Sequence, residues 1–481
     1  MSSSGSGAPS YAKKAGPHHG MAPMRGIEQF TGVKAPVGAG RFGRIFPRSS
    51  YNPTDDAIHA LAQTMEETNT PDNDNPEIPI GITFLGQFID HDLTLDATTL
   101  FGQQQDPNAV TDFRTPNFDL DNLYGAGPGV SRFLYDVRMP DTDNPVKLLL
   151  DDGRDFDLPR NSLNTALIGD LRNDENFLVS QLHRAFMKFH NAVVDLLRST
   201  NPSKYSGLNG NTDLFKDASQ TVRWHYQWIV FHEFLPTILE NDVLNDVIKS
   251  GRKLYLWNKQ SKYPFMPVEF STAAYRLGHS MLRQNYKLNA TREADLFNLP
   301  VFGNPRIDAS YKLDFKLFFD YPGQPKAQRA RKIDAKVTMP VFQLPFIDPK
   351  QDPPISLPER NMQRAKIFGV PSGQEVAQDM VQRGINIPRV YSNADLGIDE
   401  IAGLQDQAPL WFYILKESEF NPTNSLRLGP VGSRLVAEVF LGLLSDIPGN
   451  YLHDDPGFKP TLPSAKPGEF TMLDLLAFAK A

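Results

Sequence analysis

Four segments of the chain gather histidine, arginine, carboxylate and amide side chains at spacings that could do chemistry. In GQFIDHDLTLD (86–96), Gln87 and His91 are four apart and share a face if the segment is helical, and Asp90 and Asp92 flank the histidine. Leu85, Phe88 and Ile89 mark the segment as buried, and polar groups converging in a buried helix need partners or a ligand. In GDLRNDENFLVSQLHRAFMKFHN (169–191), Arg172 and Glu175 are three apart at the expected start of a long helix. In isolation that pair reads as a helix-start salt bridge. His183 and His190 follow seven apart; they could ligate a metal, though structural partners are the simpler reading.

In FSTAAYRLGHSMLR (270–283), His279 follows a glycine within small and apolar residues, and Gly278 would let something flat approach the backbone. In LPERNMQRAKIFGVP (357–371), Asn361 and Arg364 are three apart and bring an amide and a guanidinium to one side of a helix. An amide acceptor suits the second ring nitrogen of a ligating histidine, and a guanidinium suits a carboxylate. Taken singly, His279 is better explained as a satisfied core histidine, and 357–371 as a solvated helix face.

The chain of 481 residues contains no cysteine. Thiolate nucleophiles, iron–sulfur clusters, disulfides and thiolate-ligated haem are thereby excluded, so metal or redox chemistry falls to His, Asp, Glu, Tyr and backbone oxygens. Within that restriction His279 becomes a candidate axial haem ligand. HEFLP (232–236) opens like a zinc-protease motif but lacks the second histidine, and GAGPG (125–129) lacks the lysine of a phosphate loop.

The elements that must position these groups are mostly helices. Leu178, Leu182, Phe186, Phe189, Val193 and Leu197 recur at intervals of three and four, predicting one buried helix over Glu175–Leu197. Helical patterns also cover 57–67, 217–246, 375–382, 433–444 and the closing FTMLDLLAFAKA, and Ser271 or Thr272 is a plausible N-cap for a helix running through Arg283. Residues 97–165 read as mostly irregular and functional or metal-stabilised. The expected class is mainly α, a large helical fold with long irregular loops and little β-structure. The 40% hydrophobic and 22% charged composition is that of a globular protein, and a net charge of −7 disfavours nucleic acid as a partner. No run of about 18 apolar residues predicts a transmembrane segment, and no secretory signal is visible at the N-terminus, which leaves the compartment open.

Taken in order, the four clusters resemble the animal-type haem peroxidases of the peroxidase–cyclooxygenase superfamily, related to myeloperoxidase and lactoperoxidase; VFHEFLP (230–236) extends the likeness, and the chain looks like a compact bacterial-type member. The resemblance implies haem b with His91 as distal histidine, Gln87 ordering water or halide beside it, and Arg172 as distal arginine. His279 would be the proximal iron ligand, bonded to Asn361. Asp90 and Glu175 match the carboxylates that become ester-linked to haem, and Arg364 and Arg276 would pair with its propionates. One calcium ion is implied as well, held by Asp92, Thr115, the Asn117 carbonyl, Asp119 and Asp121. Asp121 stands where animal members usually have serine, and without the distal motif the loop would read as an Asp-rich surface turn.

The activity so implied is oxidation of small donors (bromide, iodide, thiocyanate, phenols) by hydrogen peroxide through an oxidised haem. Asn176 replaces the methionine that forms a sulfonium bond to haem in myeloperoxidase, which disfavours chloride as donor. A fatty-acid dioxygenase is the rival enzyme, but its radical tyrosine would fall at the position of Arg276, with Tyr275 displaced by one. A non-catalytic adhesion or binding protein on the same scaffold is the rival of a different class. The expected organisation is a flexible arm over 1–25 with His18 and His19 as solvated tail residues, one catalytic domain over 26–455, and a C-terminal extension over 456–481 packed on that domain. Sites so dispersed in sequence must surround one haem.

Overall fold

The computed structural model describes residues 40–67, 71–94, 111–112, 116–138, 145–206, 210–260, 263–297, 308–345, 347–350 and 352–481. The arm with His18 and His19, and Thr115, lie outside the described residues.

Among the described residues helices carry the architecture, and strands are few and short. In chain order the helices are α1 (Asp55–Gln63), α2 (Gly81–Leu93), α3 (Asp121–Tyr124), α4 (Phe177–Thr200), α5 (Gly210–Ile229), α6 (Leu235–Ile238), α7 (Asn241–Ser250) and α8 (Trp257–Gln260). They continue as α9 (Val268–Thr272), α10 (Leu357–Ile367), α11 (Gly373–Gln382), α12 (Asn393–Leu396), α13 (Leu410–Glu417), α14 (Pro430–Asp446), α15 (Tyr451–Asp454) and α16 (Met472–Ala479). The strands are β1 (Gly40–Gly43), β2 (Asp74–Pro79), β3 (Thr111–Asp112), β4 (Phe265–Pro267), β5 (Asn285–Lys287), β6 (Glu293–Asp295) and β7 (Arg329–Arg331). Among the described residues they form one three-stranded sheet in the order β3-β1-β4 and two ribbons, β2-β7 and β5-β6. The fold is mainly α, as the sequence predicts.

The apolar stripe of α4 explains how the site is held. Leu178, Leu182, Phe186, Phe189 and Val193 are all buried, and Asn176 caps the helix by accepting from the Leu178 amide at 2.8 Å. Phe186 stacks on Phe88 of α2, with ring centres 4.5 Å apart, and meets Tyr226 of α5 edge-on at 5.7 Å. Burying such rings contributes about 1.5–3 kcal/mol each. Truncating one costs about 3–5 kcal/mol. This aromatic contact fixes α2, and with it the segment 86–93, against α4. The C-terminal helix α16 covers the other flank of α4, with Phe478 and Phe470 against Phe189.

Two expected elements differ. The region 217–246 is broken: α5 ends at Ile229, Val230–Phe234 widen into a π-turn, and α6 follows. Pro236, at the start of α6, has no N–H for the carbonyl four residues back, which favours a wider turn there. The helix expected through Arg283 also does not form. Pro267 precedes α9, which ends at Thr272, and Ala274–His279 form a 3₁₀ turn after a break at Ala273. Side chains compete for the carbonyls that a continuous helix would use: Arg276 Nε donates to Ser271 O at 2.7 Å, and Trp411 Nε1 donates to Arg276 O at 3.1 Å.

Candidate active site

A cavity, partly open to solvent, lies between α2 and the 3₁₀ turn Ala274–His279. Gln87, Asp90 and Glu175 contribute polar groups to its wall, and Tyr275, Gly278 and His279 line it from the turn. The two segments touch through the Tyr275 hydroxyl, which donates to Gly86 O at 3.3 Å. Thus residues 192 positions apart in sequence (87 and 279) come to one chamber because α2 and the turn Ala274–His279 pack side by side.

On the α2 side, the sequence-predicted groups form one connected cluster. Gln87 Nε2 donates to Glu175 Oε1 at 2.9 Å, and His91 Nε2 lies 3.8 Å from the same oxygen. His91 is fully buried and stands behind the lining residues rather than among them. Arg172 and Glu175 do not begin the long helix as expected. Arg172 lies in a 3₁₀ turn, Leu171–Asp174, that ends at Glu175, one residue before the Asn176 cap. This turn lets Arg172 pair with Asp170 at 2.7 Å and donate through Nη2 to His91 O at 3.0 Å.

Burial pushes the Asp90 carboxyl above its usual range, against the charges of Arg276, Arg172 and Arg364. Three guanidinium charges thus reach this carboxyl from behind a wall that itself carries Asp90 and Glu175. Arg276 and Arg364 are both buried, so an anion reaching them would meet little competing water.

On the other side His279 is buried, and its Nδ1 lies 2.7 Å from the Asn361 amide of α10. Burial, with the charge of Arg276 added, pushes His279 down to about 3, so its imidazole is neutral and keeps a lone pair. In the orientation described, Asn361 Nδ2 is the atom that faces Nδ1; turned over, the amide would present its oxygen to Nδ1–H and leave that lone pair on Nε2. A side chain at Gly278 would meet nothing within 4 Å, so the backbone beside His279 opens onto free space. One neutral histidine, apolar walls, wall carboxylates and buried arginines fit a planar metal-bearing macrocycle with acidic substituents.

A second cluster lies one residue along α2. Carboxylate oxygens of Asp92, Asp119 and Asp121 come within 4.8 Å of one another. Asp92 is fully buried; Tyr226 donates to its Oδ2 at 3.1 Å, and Oδ1 has no hydrogen-bond partner. Burial first, then the charges of Asp119 and Asp121, hold Asp92 well above the usual carboxylate range. Such convergence of oxygens suits a hard cation. The Asn117 side chain is taken up by the Phe118 amide (2.9 Å) and Asn450 (2.7 Å), which leaves its main-chain carbonyl as the group it could offer.

Several groups of the site carry no periodic signal in the sequence. Asn173, fully buried, accepts through Oδ1 from His91 Nδ1 at 2.7 Å, and its Nδ2 lies 2.9 Å from His183 Nδ1. Asp170 orients Arg172, Tyr226 holds Asp92, and Tyr275 reaches the cavity. Asp170 and Asn173 lie within the quoted segment 169–191, but nothing in a polar run tells which member turns inward. His190 is a structural residue, bonded to Tyr124 at 3.1 Å and to Val146 O at 2.9 Å. His232 stacks on Trp228, and Glu233 accepts from the Met472 amide at 2.7 Å.

The sequence profile of the animal haem peroxidase family matches residues 99–380, more than half of the chain. That span contains Asp119, Asp121, Arg172, Glu175, His279, Asn361 and Arg364, with the α2 residues just ahead of it. The chain is 24% identical over 322 residues to the chorion peroxidase of Aedes aegypti, covering 64% of this chain and 37% of that protein. It is 24% identical over 270 residues to the eosinophil peroxidase of Homo sapiens, covering 52% of this chain and 35% of that protein. The chain therefore spans about a third of the length of these relatives. Peroxidase A from Dictyostelium discoideum shares the fold with a TM-score of 0.63 at 14% identity, over 92% of this chain and 93% of that one. A fatty acid alpha-dioxygenase from Oryza sativa does so with a TM-score of 0.59 at 16% identity, over 85% of this chain and 76% of that one. With its profile match, its relatives and its fold in agreement, the chain belongs to the animal haem peroxidase family.

Proposed function

We propose that the protein is a haem peroxidase that uses hydrogen peroxide to oxidise small donors such as bromide, iodide, thiocyanate or phenols. The observation that carries this reading is the pair of buried histidines, His91 behind one wall of the cavity and His279 on the other, each with its Nδ1 against an asparagine. His279 would hold the iron through Nε2, oriented by Asn361. Arg276 and Arg364 would take the propionates, and Asp90 and Glu175 stand on the cavity wall where ester links to the ring would form. Asp92, Asp119 and Asp121, with the Asn117 carbonyl and Thr115, would hold one calcium ion. We also propose that residues 26–455 act as one catalytic domain with 456–481 packed on it.

When bound, haem supplies the iron that takes the two oxidising equivalents of peroxide. The chain supplies proton handling and charge. His91, protonated at Nδ1, has its Nε2 lone pair toward Glu175 and the cavity, where it can take a proton from one peroxide oxygen and return it to the other. The hydrogen bond from Gln87 holds Glu175 beside that path. Arg172 keeps a positive charge at the His91 backbone, which favours negative charge developing nearby. Asn176 has no sulfur for a sulfonium link to haem and caps α4 instead, which disfavours chloride as donor.

The test is a visible spectrum of the haem-replete protein before and after peroxide. A Soret band that changes transiently with peroxide is expected; its absence would sink the proposal. His91→Ala should keep haem and lose the peroxide reaction, whereas His279→Ala should disturb the haem itself. One observation favours a second reading: Tyr275 lines the cavity despite its displaced position in the sequence. Oxygen uptake with linoleate, lost in Tyr275→Phe, would support a fatty-acid dioxygenase.

A further inference from the structure

We infer that Asn173 and His183 form a positioning relay that sets the tautomer of His91. The inference rests on the peroxidase reading for what His91 does, though not for the relay itself. Asn173 Oδ1 lies 2.7 Å from His91 Nδ1, and Asn173 Nδ2 lies 2.9 Å from Nδ1 of His183. All three residues are fully buried. An amide has distinct ends: its oxygen only accepts, and its nitrogen only donates. In this orientation Asn173 therefore accepts a hydrogen bond from His91 Nδ1–H and donates one to the His183 Nδ1 lone pair.

Turning the amide over would reverse both bonds at once. His91 Nδ1 would become the acceptor, its proton would sit on Nε2, and no lone pair would face Glu175 and the cavity. The tautomers of the two histidines are thereby linked, although His183 touches neither Gln87 nor Glu175 in any bond described above. His183 itself is steadied by Phe88, whose ring meets it edge-on at 6.0 Å, and Phe88 stacks on Phe186 of α4. The backbone adds constraint, because Asn173 lies in the short 3₁₀ turn whose N-cap Asp170 also holds Arg172. The turn therefore places a guanidinium and a tautomer-setting amide on His91 together. His183 and Asn173 act through His91, so both are positioning residues.

Asn173→Leu removes both hydrogen bonds at similar volume. Asn173→Asp keeps an acceptor facing His91. His183→Leu removes the group that turns the amide. Two measurements are made on each: NMR of nitrogen-labelled histidine, and the stopped-flow rate of the haem-bound protein with peroxide. The NMR is recorded on the haem-free chain and on the diamagnetic ferrous carbon-monoxide form, with His91→Ala assigning the His91 signals.

Native protein and Asn173→Asp should show His91 protonated at Nδ1. Asn173→Leu should show a mixture or the Nε2–H form and react with peroxide about 100-fold more slowly at unchanged haem content. His183→Leu should move both readouts in the same direction, by about tenfold in rate. Retention of the Nδ1–H form or of the native rate in Asn173→Leu overturns the inference. If Asn173→Leu does not fold, the same result in His183→Leu does so. If instead His91→Ala reacts at the native rate, the peroxidase reading fails, while the tautomer measured without haem still decides the relay.

Discussion

His91 and Asp92 are consecutive on α2 and serve two different clusters. His91 directs Nε2 to within 3.8 Å of Glu175 at the cavity wall, while Asp92 joins Asp119 and Asp121 within 4.8 Å. One turn of helix thus ties the candidate peroxide site to the candidate cation site, and what disturbs one backbone position reaches both.

Calcium removal is therefore expected to lower both stability and the peroxide reaction. Three carboxylates left without a cation repel one another, and Asp92 is buried among them. An ion at 100 times its Kd contributes about 2.7 kcal/mol to the folded state. Chelation should lower Tm and slow the peroxide reaction, and calcium should restore both. Asp119→Ala should mimic chelation, and an unchanged Tm after chelation would remove the site.

Asn361→Leu should keep haem but weaken it. The amide at 2.7 Å fixes the His279 ring and its tautomer. Loss of such a partner costs about 10–100-fold in metal affinity or activity. Haem titration followed at the Soret band measures the first, and stopped-flow with peroxide the second. Asn361→Asp should recover most of the loss.

Covalent attachment is read by acid–acetone extraction. Haem should stay with the native chain after turnover with peroxide, because Asp90 and Glu175 both stand on the cavity wall. Asp90→Asn or Glu175→Gln should each leave one link, and the double variant should release all the haem. Mass spectrometry of the digested protein would show the ester adducts.

Asn176→Met separates a structural from a chemical role. Loss of the cap on α4 should cost about 1 kcal/mol, seen as a lower midpoint in urea. A sulfonium link, if it forms, would appear as haem resistant to extraction even when both carboxylates are replaced. Chloride oxidation should rise relative to bromide only in that case.

Glu417 predicts a pH dependence away from the cavity. Burial pushes its carboxyl up to about 8, although the Val431 amide at the start of α14 donates to it at 2.9 Å. The folded chain therefore holds a proton that the unfolded chain, with an ordinary glutamate, gives up at about pH 4.5. This contribution is present below pH 4.5 and is lost as pH rises toward about 8, by up to about 1.4 kcal/mol per pH unit. Glu417→Gln should flatten that slope and raise Tm at pH 8 relative to the native chain. A Tm profile from pH 5 to about 9 checks it.

Chemistry and helical periodicity are local properties, and both could be read from the chain alone. The absence of cysteine restricted ligands to histidine and oxygen, the 3–4 spacing from Leu178 to Leu197 marked α4, and four motif clusters pointed to the family. Packing decided the rest. The segment around His279 has helical character by composition, yet Arg276 and Trp411 take its carbonyls and shorten it to a 3₁₀ turn, which brings Tyr275 to the cavity. Asn173 is one polar residue in a polar run until α4 carries His183 to one end of its amide and α2 carries His91 to the other. Such pairings depend on contacts between distant elements, and no pattern within a single segment encodes the far partner. The sequence determined which groups were available; tertiary packing decided which of them face one another and through which atom.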